Sequence, residues 1–105
     1  MALPDVASAA YLFSRSIFPV KVQLPTPLIE YTGGAREVSG EGRTLDALLH
    51  DLDRQYPGIR FRMIDEQGNA RAHIKLFVNA ELERSLAAPL MPDDEILVVA
   101  ALSGG

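Results

Sequence analysis

The strongest local pattern in this sequence is a single amphipathic helix that starts at Thr44 and stops before Pro57-Gly58. Thr44 is a good N-cap residue, because its side-chain oxygen can accept a hydrogen bond from the first turn. One apolar face follows at helical spacing: Leu45, Leu48, Leu49, Leu52 and Tyr56. Proline disfavours helix in the residue before it, and glycine readily takes the left-handed conformation that ends a helix. The sequence therefore predicts one main helix, with a face that must be covered by a sheet.

Short segments on both sides of this helix have strand patterns. They are residues 20–24, 35–39, 74–78, a short strand near Leu82, and residues 95–100. Gly33 and Gly34 predict a turn between the first two strands, because glycine accepts positive φ. Residues 59–64 are predicted as a short turn or helix, and residues 65–69 as a polar loop. Residues 96–99 are apolar on both faces, which favours a central position for the last strand. The predicted order is ββαβ(β)β, an α+β fold.

Length, charge and cysteine content exclude several classes of protein. With 105 residues the chain is long enough for one domain with a modest hydrophobic core. A net charge of -4 argues against a nucleic-acid partner, which would select clustered Lys and Arg. The chain has no cysteine, so it has no disulfide, thiolate nucleophile or cysteine metal site. No apolar run approaches the roughly 18 residues of a membrane span, so no membrane partner is expected.

Residues 1–19 differ from the rest and are predicted to be an extension, either disordered or a short helix. They are small and apolar, with only Asp5 and Arg15 charged. Val6, Ala9, Ala10, Phe13 and Ile17 fall at helical spacing. The segment lacks the basic start and apolar stretch of an export signal, so a cytoplasmic location is expected. The predicted division is thus residues 1–19 as the extension, 20–100 as the domain and 101–105 as the tail.

The tail ends in Gly104-Gly105. Glycine has no Cβ, so this end can be drawn extended into a narrow tunnel that would exclude bulkier residues. The terminal carboxylate is ionised at neutral pH and resists nucleophilic attack, and it needs activation, for instance as an acyl adenylate, before it can react. A terminal glycine has no side chain to block that attack. Taken alone, the two glycines are equally compatible with a frayed end or a cloning remnant.

A family resemblance covers residues 20–105. The residues that carry it are Thr32-Gly33-Gly34, Thr44-Leu45, Tyr56-Pro57-Gly58-Ile59, Phe77-Val78-Asn79, Asp93-Asp94-Glu95-Ile96 and Gly104-Gly105. In order and spacing they resemble the ThiS/MoaD family of ubiquitin-like sulfur carriers, and most closely its CysO-type members. The resemblance implies a β-grasp fold, a mixed sheet with one main helix across it and a flexible C-terminal diglycine tail.

The resemblance further implies a carrier and not an enzyme. In this family an ATP-dependent partner, similar to ubiquitin-activating enzymes, adenylates the C-terminal glycine, and a sulfur donor converts the adenylate to a thiocarboxylate. Carried over, Gly105 is the site of adenylation and sulfur loading, and Leu102, Ser103 and Gly104 thread into the partner. The sulfur then passes to an accepting biosynthetic enzyme. The chain is expected to bind no cofactor and no metal, since ATP is used by the partner.

A carrier also needs a surface that its partners recognise. If Ile74, Leu76 and Val78 point at the helix, Phe77 points to the opposite face, because side chains alternate along a strand. Leu97 and Val99 can share that face, and Val99 aligns with a partner-contacting position in the MoaD branch. Phe77, Leu97 and Val99 are therefore candidates for partner binding. The alternatives are that residues 1–19 cover this face, or that the faces are reversed and these residues form the core.

Other polar residues are assigned ordinary roles. His50 and His73 have no second ligand at metal spacing and are expected at the surface or its boundary. Residues 93–95 are consecutive acids before a strand and are expected in a solvated turn, because such side chains do not converge on one point. The arginines at 60, 62 and 71 are expected to balance nearby acids or to form a cationic patch.

Four functions stay open at this stage. The first is a sulfur carrier for a thiolated metabolite such as cysteine, thiamin or a secondary metabolite. The second is the small subunit of a molybdopterin-synthase-like complex. The third is a ubiquitin-like modifier whose Gly105 is linked to lysines of other proteins. The fourth is a β-grasp interaction domain with an inert tail. The CysO-like stretch at residues 25–34 favours the first over the second.

Overall fold

The computed structural model describes residues 19–101; the predictions made for residues 1–18 and 102–105 lie outside this range. The sheet has five strands: β1 (Val20–Gln23), β2 (Glu37–Gly40), β3 (Ile74–Val78), β4 (Glu81–Leu82) and β5 (Glu95–Ala100). Their order across the sheet is β2-β1-β5-β3-β4. β1 and β5 are parallel, and the other neighbours are antiparallel. The predicted mixed sheet is confirmed, with the doubly apolar β5 at its centre.

The main helix, α1 (Leu45–Gln55), begins and ends as predicted. The Thr44 hydroxyl accepts a hydrogen bond from the backbone N–H of Ala47 at 3.1 Å, which caps the first turn. Leu45, Leu48, Leu49 and Leu52 are completely buried. Each such leucine contributes about 1.5–3 kcal/mol by leaving water, so this face anchors α1 on the sheet. Gly58, at φ 99°, then turns the chain into the short helix α2 (Ile59–Met63).

The core lies between the sheet and the two helices. Alternate strand residues point into it: Val20, Val22, Val38, Ile74, Leu76, Ile96 and Val98. Ile59 and Met63 of α2 close one side, and both are fully buried. Among residues 19–101, no polar or charged residue is buried in this core. The helix-facing side of the sheet is therefore buried in the core, and the other side carries the exposed and half-buried strand residues.

A 3-10 helix over Thr26–Thr32 separates β1 from β2. The sequence pattern indicates no helix here, because Pro25 and Pro27 interrupt the strand pattern. Proline at the first helical positions is compatible with a helical turn, since its missing N–H would be unsatisfied there anyway. Leu28 is buried and pins the turn to the core. Gly33 and Gly34 follow at φ 70° and 97°, which confirms the predicted glycine turn.

The segment before β5 passes the start of α1. Backbone N–H groups of Leu45 and Asp46 donate to the carbonyls of Ala88 and Leu86, at 3.0 and 2.8 Å. These two N–H groups belong to the first turn of α1, where no intrahelical acceptor exists. Leu90 is buried beside them. The crossing segment therefore supplies hydrogen-bond acceptors for the first turn of α1. It also leads the chain to β5, between β1 and β3.

Candidate functional site

An apolar patch lies on the face of the sheet that points away from α1. Phe77 of β3 stands opposite Leu97 of β5, and Lys75 stands opposite Val99. Leu97 is 44% exposed, while Phe77 and Val99 are half-buried. Phe77, Leu97 and Val99 thus share the outer face as predicted, and the reversed arrangement with these residues in the core is excluded.

Leu82 extends this patch, and the sequence analysis did not include it. Asn79 and Ala80 have φ values of 48° and 74°, and they form a two-residue turn between β3 and β4. The register that follows pairs Phe77 with Leu82, which is 41% exposed. A two-residue turn at Asn79-Ala80 places Leu82 directly across from Phe77, and the sequence pattern around Leu82 does not fix the length of this turn. We call Phe77, Leu82, Leu97 and Val99 the outer patch.

Polar and charged residues border the outer patch. On the β1 side, Gln23 pairs in register with Leu97, and its amide donates to Glu37 at 2.9 Å. Lys21 stands beside Glu95 on the same face. Lys75 is exposed next to Val99. An apolar centre with a polar, mixed-charge border is the usual anatomy of a surface that binds another protein.

The chain leaves the sheet beside this patch. Ala100 pairs with Ile74, and the Ala101 N–H donates to the His73 carbonyl at 2.7 Å. This hydrogen bond of Ala101 lies at the end of the sheet where β3 begins. The predicted threading residues Leu102, Ser103 and Gly104, and the predicted loading site Gly105, lie outside the described residues. Six residues of extended chain span at most about 20 Å, so covalent geometry alone keeps the Gly105 carboxylate within that distance of Val99.

The three arginines contact different groups, and Arg60 and Arg62 each interact with an acid, Asp46 and Glu30 respectively, in line with the expected balancing of nearby acids. Arg60 donates to Asp46 at 3.1 Å. Arg62 donates to the Tyr31 hydroxyl at 2.6 Å, and this hydrogen bond raises the pKa of Arg62. Arg71 donates to the Phe61 carbonyl at 2.7 Å and stacks on its ring. The hydrogen-bond acceptors of Arg62 and Arg71 are thus a hydroxyl and a carbonyl that the tertiary fold brings close. The residue types alone do not predict these pairings.

Asp93 and Asp94 lie in the connection before β5, as predicted, whereas Glu95 is the first residue of β5. Asp94 accepts hydrogen bonds from the Asn79 amide at 2.9 Å and from the Met91 N–H at 2.8 Å. Both carboxylate oxygens of Asp94 therefore accept hydrogen bonds from within the domain. His50 is exposed and lies 3.6 Å from Asp46, and His73 is exposed as well. Within residues 19–101, no three His, Asp or Glu side chains are grouped so that they could hold a metal ion.

No helix among residues 19–101 has the length and hydropathy needed to cross a bilayer. What the described residues offer is one open sheet face with an apolar centre, and a central strand whose end lies beside it. A five-stranded mixed sheet that carries one long helix, with the C-terminal segment following the central strand, defines the ubiquitin-like β-grasp class.

Comparisons with known proteins give the family. The family model of the ThiS family matches residues 22–105, and the chain belongs to this family. It is 35% identical over 91 residues to the sulfur carrier protein CysO of Mycobacterium tuberculosis, covering 82% of this chain and 98% of that protein. The M. tuberculosis protein is named as a carrier, which agrees with the expectation of a carrier and not an enzyme.

Solved structures are similar in fold as well. The crystal structure of M. tuberculosis CysO has a TM-score of 0.75 and 33% identity, over 79% of this chain and 99% of that one. CysO in the BexX/CysO complex of Amycolatopsis orientalis has a TM-score of 0.75 and 29% identity, over 82% and 99%. The small archaeal modifier protein 1 of Methanosarcina acetivorans has a TM-score of 0.70 and 27% identity, over 84% and 97%. The β-grasp fold and the CysO-type resemblance are confirmed.

Proposed function

We propose that this protein is a sulfur carrier, loaded at Gly105 by an ATP-dependent adenylating enzyme. The observation that supports the proposal most strongly is its 35% identity to a sulfur carrier over 98% of that carrier's length. The family match extends to residue 105, so it includes Gly104 and Gly105. The ATP-dependent step places the activity in the cytoplasm in this proposal.

The loading chemistry follows from the terminal carboxylate. An oxygen of the Gly105 carboxylate attacks the α-phosphorus of ATP, and pyrophosphate leaves. A sulfide equivalent then attacks the carbonyl carbon of the acyl adenylate. The bond between that carbon and the AMP oxygen breaks, AMP leaves, and a C-terminal thiocarboxylate remains. No oxidation or reduction of the chain is required if the donor supplies sulfur as sulfide.

The outer patch would dock the partners while the tail reaches their reactive centre. Leu82 and Leu97 are exposed, Phe77 and Val99 are half-buried, and Leu97 and Val99 lie on the strand that continues into the tail. A partner that binds this patch therefore holds the start of the tail in a defined position. The separation of at most about 20 Å between Val99 and the carboxylate suits an active site set back from the docking surface.

The thiocarboxylate would then donate sulfur to a biosynthetic enzyme that makes a sulfur-containing metabolite such as cysteine, thiamin or a secondary metabolite. The A. orientalis relative occurs in a BexX/CysO complex, which supports a mode of action through a second protein. A small subunit of a molybdopterin-synthase-like complex would instead remain in a stable heterodimer. Copurification from the host separates the two functions.

A protein modifier is the second candidate, because the M. acetivorans relative at 27% identity is named a modifier protein. In that case the activated Gly105 carbonyl would be attacked by a lysine amine of another protein, with release of AMP and formation of an isopeptide bond. Digested host protein would then contain lysines that carry the Ser-Gly-Gly end or part of it.

The test is the intact mass of the full chain after incubation with ATP, a sulfide source and the adenylating enzymes of its host. We expect a gain equal to the replacement of one oxygen by sulfur, located at Gly105 by fragmentation. Deletion of Gly105 should abolish the gain, whereas Ser103→Ala should retain it. An unchanged carboxylate with every adenylating enzyme would contradict the carrier function, and isopeptide remnants without thiocarboxylate would favour the modifier.

A further inference from the structure

We propose that the open edge of β2 binds an extended segment of a partner protein that carries lysine or arginine, and that this segment adds to the sheet as a further strand. Within residues 19–101, β2 lies at one end of the sheet and pairs with β1 alone. The binding surface is the backbone edge of the sheet and the groove beside it, and not the outer patch. The binding does not depend on the proposed carrier function.

The backbone of β2 points alternately toward β1 and toward the open edge. The Arg36 carbonyl accepts from the Leu24 N–H at 2.7 Å, so in this antiparallel register every second residue after Arg36 also faces β1. Glu37 and Ser39 therefore direct their N–H and C=O groups outward, in the plane of the sheet. Of these four groups, only the Ser39 carbonyl has a hydrogen-bond partner within residues 19–101. The others can pair with an added strand.

The side chain of Gln55 marks the position that an added strand would take. Its amide nitrogen donates to the Ser39 carbonyl at 3.1 Å and to the Asp51 carboxylate at 2.9 Å. An amide N–H thus already lies where the backbone N–H of an added strand would bind. Gln55 is exposed, so a strand can replace it at Ser39 while the Gln55 amide keeps its bond to Asp51. The replacement therefore leaves no buried polar group without a partner.

A groove of about 630 Å³ lies beside this edge, between β2 and the end of α1. Its lining includes the apolar side chains of Val38 and Tyr56 and the bare backbone of Gly40. The four residues of β2 extend over about 13 Å, enough to pair with an extended segment of similar length. Side chains alternate along such a segment, so every second one would enter the groove. The others would lie on the outer face beside Glu37.

The charges along the edge favour a basic segment. Glu37, Glu41 and Asp51 line the groove, and none of the lining residues within the described range is basic. The hydrogen-bond donor to Glu37 is the neutral Gln23 amide, so no cation balances this carboxylate there. Arg54 lies 2.7 Å from Asp51 and offsets one of the three charges. A lysine or arginine of an added segment would meet the remaining negative charge at short range.

The same charges disfavour a second copy of this chain as the occupant. Two β2 edges paired with each other would bring two copies of Glu37, and of the other acids of the groove, into one interface. Like charges on neighbouring strands destabilise their pairing, and charged side chains at an edge are a common protection against edge-to-edge association. A basic segment replaces this repulsion with attraction. The occupant is therefore a different, positively charged sequence.

The test titrates the full chain with a capped hexapeptide of alternating lysine and valine, and follows the backbone amides by NMR. The control peptide has glutamate in place of lysine, so its length and apolar content are the same. We expect the lysine peptide to bind at least about tenfold more tightly. It should also slow hydrogen exchange of the Glu37 and Ser39 N–H groups. Equal affinities, or shifts confined to the outer patch, overturn the proposal.

Methylation of the peptide backbone separates strand addition from attraction between charges alone. In an added strand, every second residue directs its N–H group to β2. N-methylation of all lysines, or of all valines, leaves the charge of the peptide unchanged. One of these two peptides should lose binding and the other should keep it, because one set of residues faces the edge. Equal loss or equal retention overturns the addition of a strand.

Variants of the protein test the two halves of the proposal. Ser39→Pro removes the outward N–H of β2 without removing a hydrogen bond to β1, and should lower the peptide affinity about tenfold. Ser39→Ala keeps that N–H and should bind as wild type does. Glu37→Lys should also weaken binding about tenfold, whereas Glu81→Lys makes the same change on β4 at the opposite edge and should not. Unchanged binding by both Ser39→Pro and Glu37→Lys contradicts the proposal.

Hydrogen exchange before peptide is added identifies other occupants. Protection of the Glu37 and Ser39 N–H groups that rises with protein concentration overturns the proposal in favour of a second copy. Protection at every concentration overturns it in favour of another part of the same chain. β1 separates β2 from β5, so the edge lies about 10 Å from Leu97. Leu97→Ala should therefore leave the peptide affinity unchanged, whichever result the test of the carrier function gives.

Discussion

The side chain of Asn79 joins the β3–β4 turn to the start of β5 through Asp94. Its amide donates to Asp94 at 2.9 Å, and its oxygen accepts from the Glu95 N–H at 3.0 Å. The backbone of Asn79 has a φ of 48°, a conformation that asparagine accepts more readily than most residues. This link ties the turn between Phe77 and Leu82 to the start of the strand that carries Leu97.

We therefore expect Asn79→Ala to lower the free energy of unfolding by about 2 kcal/mol, from lost hydrogen bonds and from alanine in a left-handed conformation. The measurement is urea denaturation of the full chain. Asn69→Ala is the matched control, since the Asn69 side chain makes no hydrogen bond within residues 19–101: its backbone N–H donates to the Asp65 carboxylate, and its carbonyl accepts from the Asp65 N–H. Equal losses for the two variants would contradict the structural role of Asn79.

Gly42 is required by a close approach to α1. A Cβ at this position would lie 2.3 Å from the Leu48 backbone nitrogen and 2.7 Å from its Cα. The backbone atoms of a buried helix cannot move aside. Gly42→Ala should therefore lower the free energy of unfolding by about 3 kcal/mol. Thermal or urea unfolding measures the loss.

Gly68→Ala is the comparison for Gly42. Gly68 has a φ of 85°, but a Cβ there would meet nothing within 4 Å. We expect a cost of about 1 kcal/mol, from backbone strain alone. If Gly68→Ala lowers the free energy of unfolding more than Gly42→Ala does, positive φ is the stronger requirement for glycine. The lack of space beside α1 would then be the weaker one.

The cap of α1 gives a third prediction. Thr44→Ala removes the hydroxyl that accepts from Ala47 and should lower the free energy of unfolding by about 1 kcal/mol. Thr44→Ser keeps the oxygen and should recover most of the loss. If serine is as destabilising as alanine, the methyl group of Thr44 and its packing, not the cap, provide the stability.

The outer patch can be tested apart from stability. Leu97→Ala should reduce the kcat/KM of adenylation by about tenfold, a loss of about 1.4 kcal/mol of partner contact, while stability changes by less than about 1 kcal/mol. The assay is pyrophosphate release by the host adenylating enzyme. Phe61→Ala changes another exposed apolar residue, on α2, and should leave the rate unchanged. Equal rates for wild type and Leu97→Ala would exclude Leu97 from docking.

Periodicity predicted the parts of the fold in which one face is buried. The leucine face of α1, and the outward direction of Phe77 and Leu97, follow from residue spacing because burial imposes that spacing. The 3-10 helix at Thr26–Thr32 was not predicted. It buries one residue, Leu28, and one buried residue does not produce a repeating pattern in the sequence.

Contacts between distant segments were also beyond sequence reasoning. The bond from Arg62 to Tyr31 joins residues 31 positions apart, and nothing local to either residue signals it. Leu82 is an intermediate case. Its place in the outer patch depends on the number of residues in one turn, which the positive φ values of Asn79 and Ala80 reveal only in the structure.

The parallel pairing of β1 with β5 has a mechanical consequence. Residues 21–23 run beside residues 95–97 in the same direction, so residue 19 and residue 101 lie at opposite ends of the pair. Tension applied between these two points pulls the strands along each other, and their evenly spaced hydrogen bonds share the load instead of opening one by one. The domain should resist stretching most strongly along this axis, which is the direction in which a tail gripped by another protein would pull.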